Sequence, residues 1–349
     1  MHTLRWANAF AANGHEVDLV SEHEPLRGYV GLRGIHLLPH RSGAGYLLNG
    51  TRLRRLVREL KSDVVNAHYA TGYGTLARAV RGVPLVLNVW GSDVFDFPEK
   101  GPLHRWWLRR NLRAAQRVVS TSEVMADRTR FWVPDLARPS VVPFGVDTVQ
   151  FSPLSGEDNS HEHIVIGTVK SLAKQYGIDT FIEAFALLRS RPDMQDVRMR
   201  IIGSGPDLAE LLALVSTRGL TGLVDLVGAI PHELVPAALD RMDIFVALSR
   251  EESFGVAVIE AAACGLPVVV SDAGGLPEVV VDGITGAVVP RNDPAAAAEQ
   301  IARLVASSEL RAQWGKAGRE HVMKHYEWNG CVDRMLAVLQ EAVTEYRRA

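Results

Sequence analysis

The stretch SREESFGVAVIEAAACGLPVVVSDAGGLPE, residues 249–278, decides how this chain is read. It follows an apolar run, turns at Ser253-Phe254-Gly255 and continues as an alanine-rich helical pattern from Val256, which Gly265 ends and Pro267 blocks. A second β-branched run, Val268–Ser271, leads into Gly274-Gly275, where missing side chains let another backbone approach a ligand closely. Two carboxylates, Glu252 and Glu260, stand on either side of the turn with seven residues between them. The first lies in the loop after a strand and the second on the helix that the turn begins, so both can address one ligand. The backbone N–H groups at the helix start form an anion site that suits a diphosphate. A carboxylate about one turn further in can accept hydrogen bonds from the vicinal hydroxyls of a ribose.

On both sides of this stretch, short β-branched runs alternate with helical patterns, the signature of repeated βα units and a mostly parallel sheet covered on both faces. The expected strands of the first half are Glu16–Ser21, Gly34–Leu38, Val64–Ala67, Pro84–Val89, Val118–Thr121 and Val141–Val142. Around Pro143–Asn159 the periodicity gives way to Pro, Gly, Ser and Asp. A second series then runs through Ile164–Val169, Arg200–Ile202, Val224–Val227, Ile244–Ala247, Val268–Ser271 and Ala287–Val289. The helix after Asp293 carries a clear start, with Asp293 as N-cap and Pro294 at the first position. The pattern predicts an α/β protein of two Rossmann-like domains, 1–155 and 156–325, whose strand ends face each other across a cleft. The last helix, 326–349, is expected to return to the first domain. The beginning departs from a doubly wound pattern: a helix over Thr3–Ala12, ended by Asn13-Gly14, precedes any strand, so the expected opening strand and its Gly-rich turn are missing.

At 349 residues the chain exceeds the size at which one core stops growing, which agrees with two domains. A composition of 47% hydrophobic and 22% charged residues excludes collagen-like, disordered and disulfide-scaffold classes. Cys264 and Cys331 lie far apart without metal-ligand spacing, no apolar window reaches 18 residues, and the N-terminus has no signal-peptide pattern. A cytoplasmic location is expected. The net charge of -2 hides an asymmetry: residues 1–150 hold 20 Lys and Arg against 13 Asp and Glu, and the remainder hold 18 against 27. Arg105-Trp106-Trp107 with Arg109, Arg110 and Arg113 concentrates the basic surplus on one helix. An ordinary amphipathic helix covering the sheet explains this group; its sharper reading is a contact with an anionic membrane at the inner face. One such helix gives thin support for nucleic acid, and none is expected as a partner.

In open α/β sheets ligands bind beyond the carboxyl ends of the strands. That rule selects His68, Trp90-Gly91-Ser92-Asp93 and Ser122 in the first half, and Lys170, Gly203-Ser204-Gly205-Pro206, Gly228, Ser249–Gly255 and Ser271–Glu278 in the second. Among the first-half residues His68 and Asp93 are titratable, and Trp90, Gly91 and Ser122 are selected with them.

With these residues in place the sequence resembles the family-4 glycosyltransferases of the GT-B fold, whose second domain carries Glu-x7-Glu followed by Gly-Gly-x-Pro-Glu. Here these read Glu252 to Glu260 and Gly274 to Glu278. The resemblance extends over nearly the whole chain, through GHEV at 14–17, AHYA at 67–70, WGSD at 90–93, PFGVD at 143–147, GSGP at 203–206 and Tyr326-Glu327-Trp328. It implies a retaining transferase that moves a hexose from a UDP- or GDP-sugar to a hydroxyl of a glycan, glycolipid or small molecule, as in polysaccharide or glycolipid assembly. Glu260 would hold the donor ribose, and Glu252 would contact the sugar near its reacting carbon. Lys170 and Lys174 would bind the departing diphosphate, with Ser253, Phe254, Gly255, Val256, Gly203 and Gly205 around the donor and Gly228 reading the base. The first-half group would face the acceptor, with His68 and Asp93 as candidate catalytic groups and Trp90, Gly91 and Ser122 lining that side. Trp90 stands where many relatives carry a His, which points to a stacking contact with a sugar. The chain has no Asp-x-Asp pair to hold a divalent ion, so leaving-group stabilisation is expected to be metal-free and no cofactor is expected. Two rivals remain. One is a protein that binds sugar nucleotide without transfer because the opening strand and its loop are absent; the other is a GT-B phosphorylase or epimerase.

Overall fold

Strands form where the β-branched runs fall. The computed structural model describes residues 2–24, 28–153 and 163–348; the expected boundary at residues 155–156 lies outside them. By its internal contacts the chain divides into one unit of residues 1–144 and 329–349 and another of residues 145–328.

The second unit is built on one continuous parallel sheet. Its strands are β7 (Ile164–Val169), β8 (Val197–Ile202), β9 (Val224–Gly228), β10 (Ile244–Ala247), β11 (Val268–Ser271) and β12 (Gly286–Val289). The first unit contributes β1 (Asp18–Ser21), β2 (Gly34–Leu37), β3 (Val65–His68), β4 (Leu85–Asn88), β5 (Arg117–Ser120) and β6 (Ser140–Val141). In the second unit the order is β12-β11-β10-β7-β8-β9, so the chain starts at the centre, runs outward on one side and then crosses to the other. The reversal between β7 and β10 is the topological switch point of a doubly wound sheet. β10 and β11 are buried along their whole length, as strands covered by helices on both faces must be. Ile166, Phe181, Phe185, Met199, Ile244, Val246 and Val269 belong to the core that encloses them.

In the first unit the sheet is split. β1 pairs only with β2, and β3-β4-β5-β6 form a separate four-stranded sheet. Among the described residues, no strand precedes the His2–Ala12 helix, and β1 and β3 each keep one unpaired edge. Burial follows pairing: β4 is wholly buried, whereas all four residues of β1 are only half-buried. The helices tie the unit together instead. Trp6, Ala7 and Phe10 of the first helix are buried, and Thr3 Oγ1 lies 3.0 Å from His68 Nδ1 at the end of β3. The Trp328–Arg348 helix is bound to this unit through Arg117 with Glu345 and through Arg347 with Asp63, the latter at 2.7 Å.

Ile164–Val169, Ile244–Ala247 and Val268–Ser271 form as read from sequence, and the other strands shift by one to three residues at their ends. Pro294–Ala306 is a helix whose Asp293 side chain accepts the Ala296 N–H at 2.9 Å.

Candidate active site

The switch point of the second unit places the loops after β7 and β10 side by side. The two strands pair at Ile244 with Ile166 and at Phe245 with Gly167. Arg250 then fastens the loops to each other. It grips Asp179 with two hydrogen bonds of 2.8 and 2.7 Å and donates to the Lys174 carbonyl at 2.6 Å. Burial would raise the Asp179 carboxyl, but the Arg250 hydrogen bonds and charge outweigh it and hold the group below its ordinary value.

This clamp brings Lys170 onto Glu252. The ammonium pairs with Glu252 Oε2 and lies 4.5 Å from the Tyr176 ring centre, while Ser249 Oγ donates to the same carboxylate oxygen at 3.3 Å. Both charged groups are largely buried, so the pair is screened less than a surface ion pair. Lys174 opens a short 3-10 turn, is exposed, and its ammonium has no partner among the described residues.

Glu252 is fixed from behind by its own backbone. Its carbonyl accepts the Gly275 N–H at 2.9 Å, and a Cβ on Gly274, whose φ is 51°, would run into that carbonyl oxygen. The paired glycines therefore let the 274–275 loop approach the Glu252 loop. Gly203 and Gly205 serve similarly: a side chain on either would meet the Lys170 or Leu172 carbonyl, so both glycines hold the loop after β8 against the loop after β7. Gly228, by contrast, faces open space on its Cα, with φ at 85°.

The Val256–Ala263 helix starts directly after the turn, with Gly255 in a left-handed conformation. The N–H groups of Val256 and Ala257 have no backbone acceptor among the described residues. Phe254 is buried, with its ring centre 5.8 Å from that of Tyr326, and Ser253 is half-buried. One turn into the helix, Glu260 is 6% exposed and pairs with His232 Nε2 at 2.8 Å. The His232 ring lies 5.4 Å from that of Phe151. His232 was not singled out from sequence, although it follows Gly228 by four residues in the loop after β9. Ser249, selected by the strand-end rule, and Tyr176 meet Glu252 and Lys170 through contacts that no local pattern displays. Cys264, just past the helix, is buried, which pushes its thiol up to about 12 and removes it from nucleophilic chemistry near neutral pH.

The candidates of the first unit are spread over a different set of contacts. Asp93 is 0% exposed, and its carboxylate accepts N–H groups of Ala70 at 2.8 Å, Trp90 at 3.0 Å and Gly91 at 2.9 Å. Burial raises its carboxyl above the ordinary value despite those bonds. It staples the loops after β3 and β4 to each other. His68 is held between Thr3 and Asn66, with its ring 4.7 Å from Trp90. Burial, helped by the charge of His2, pulls its pKa from 6.5 to about 4. Trp90 belongs to an aromatic group with His2, His68 and Phe144. Ser122 caps the Glu123–Trp132 helix through the Met125 N–H at 3.3 Å. Among the described residues, no group of three or more His, Cys, Asp or Glu is placed to hold a metal ion.

A doubly wound parallel sheet with the Lys170–Glu252 pair and an open helix start at its switch point, together with the α/β first unit, has the architecture of the GT-B fold. The chain belongs to the glycosyltransferase family described as glycosyl transferases group 1, whose model matches residues 155–321, while residues 1–122 match the glycosyl transferase 4-like model. A D-inositol 3-phosphate glycosyltransferase of Mycolicibacterium smegmatis is 31% identical over 82% of this chain and 68% of the relative. The corresponding protein of Salinispora tropica is 28% identical over 82% of this chain, which spans 65% of that relative's length. The fold matches that of Anabaena Alr3699/HepE, solved in complex with UDP-glucose, with a TM-score of 0.81 at 17% identity, covering 97% of this chain and 96% of the other.

Proposed function

We propose that this chain transfers a hexosyl group, with retention of configuration, from a UDP- or GDP-sugar to a hydroxyl of a glycan, glycolipid or small molecule. The observation that carries this reading is the meeting of Lys170 and Glu252 beside the unpaired amides of Val256 and Ala257, with Glu260 one turn further along the same helix.

Each group has a task in that reaction. The diphosphate draws Lys170, Lys174 and the helix amides, which meet the charge that grows on the leaving oxygen. Lys170 leaves Glu252 for the phosphates as the donor enters, so the carboxylate is freed to bind the sugar. Glu260, oriented by His232, accepts from the ribose hydroxyls. The bond from the anomeric carbon to the diphosphate oxygen breaks, the acceptor oxygen bonds to that carbon from the same face, and the acceptor proton passes to the departing diphosphate. Positive charge from the protein supports a transfer that persists in chelator. The UDP-glucose complex of the fold neighbour favours a uridine nucleotide among the candidate donors.

A panel of UDP- and GDP-sugars, scored for nucleotide release with and without acceptor and chelator, tests the proposal. Glu252→Ala is expected to abolish transfer, and Glu260→Ala to weaken donor binding. Wild-type turnover by both variants overturns these roles. The split first sheet favours a second reading, a chain that binds the nucleotide without transferring the sugar; donor binding without turnover for any acceptor selects it.

A further inference from the structure

Six arginines gather on one face of the first unit. Arg78, Arg81, Arg105, Arg109, Arg110 and Arg113 line a shallow cavity of about 780 Å³ that no acidic residue lines. Four of them come from the Pro102–Leu112 helix and its C-cap, and the other two from the segment after the Gly72–Ala77 helix. The opposite face of the Pro102–Leu112 helix, with Leu108, Asn111 and Leu112, is buried. Only the rim is neutralised, by Asp135 on Arg113 at 2.8 Å and Glu99 on Arg105 at 3.6 Å. Among the described residues no carboxylate pairs with Arg78, Arg81, Arg109 or Arg110. Large apolar side chains are exposed beside the same face: Leu103 at 67% and Trp106 at 49%. Phe131, at 61%, joins them through Trp132, which Arg105 covers at 5.4 Å.

We propose that this arginine face docks on an anionic phospholipid surface, with Trp106 and Leu103 seated at headgroup depth. Unpaired like charges held together are unfavourable in water and gain most from an array of anions. From Arg105 to Arg113 the charges extend about 12 Å along the helix axis, which suits several headgroups better than one phosphate. Trp and Arg are the side chains that fit the boundary between headgroup and acyl chain. A nucleic-acid strand needs a succession of free aromatic faces. Here Arg110 stacks over Trp106 at 5.2 Å, and Trp107 lies under Arg78 and donates to Thr75 Oγ1, so that succession is missing.

Flotation of the full chain with vesicles tests this. Binding is expected to mixed phosphatidylglycerol and phosphatidylcholine vesicles, to fall with salt, and to be absent on pure phosphatidylcholine. Removing two charges with Arg81→Gln and Arg110→Gln should weaken binding about thirtyfold, given about fivefold per charge. The corresponding Lys pair should retain most of it, and Trp106→Ser should lose part of it at unchanged charge. Neither charge lies in the donor site, so nucleotide binding is the folding control. Equal binding to neutral vesicles, no binding at low salt, displacement by inorganic phosphate at constant ionic strength, or a preference for single-stranded oligonucleotide over vesicles would each overturn the proposal.

Discussion

The two sheets differ by one strand position, and that position governs what each unit can assemble. In the second unit β7 lies between β8 and β10, and its carboxyl end delivers Lys170 to Glu252. In the first unit the order runs β2-β1, breaks, and resumes at β3, so the break falls where β7 sits in the other sheet. Among the described residues, no strand of the first unit stands at the position that β7 holds in the second. Of the first unit's polar groups, Asp93 joins two loops and Ser122 caps a helix. A parallel strand has both edges paired and both faces covered only when its neighbours are present, and β1, which pairs only with β2 among the described residues, is half-buried.

The comparison breaks most visibly at the switch point. Lys170→Ala removes the cation beside Glu252, and kcat should fall on the order of a hundredfold to a thousandfold, measured as nucleotide release at saturating donor. Retained turnover would move the leaving-group site elsewhere. Gly274→Ala comes next. Its Cβ meets the Glu252 carbonyl and its φ of 51° disfavours a side chain, so about 2–3 kcal/mol of stability should be lost, visible as a lower denaturation midpoint. An unchanged midpoint would mean that the two loops have room to part.

The remaining tests address the first unit. The His68 pKa is drawn from 6.5 to about 4; between those values the unfolded chain binds a proton that the folded chain does not. Stability present above pH 6.5 is therefore lost as pH falls toward 4. His68→Gln should flatten that part of a denaturation series across pH, and an unaltered slope would assign the acid sensitivity to other groups. Ser122→Ala should cost about 1 kcal/mol through the lost cap and leave donor binding intact. Loss of transfer at unchanged stability in either variant would give the first unit a chemical role beyond its packing.

Much of this was legible in advance. The βα alternation, the turn at Ser253-Phe254-Gly255, the Glu252–Glu260 spacing and the Asp293 cap are local patterns, written within a few residues of one another. That a helix over Thr3–Ala12 comes ahead of the first strand was legible too. What could not be read were partnerships. Asp93 and Ser122 follow strands, as ligand-binding residues do, yet the same position also serves loop staples and helix caps. That Gly274 makes room for the Glu252 backbone is likewise a partnership that no local pattern displays.

The amino-acid order by itself determined which segments become strands and helices and that two acids flank one helix start, because backbone preference and periodicity act over short distances. Tertiary structure alone decided that Lys170 meets Glu252 across 82 positions and that His232 meets Glu260 across 28. It also decided that the first sheet separates between β1 and β3. These outcomes depend on strand order and on which loops the sheet sets side by side, and such long-range pairing has no counterpart in local sequence pattern.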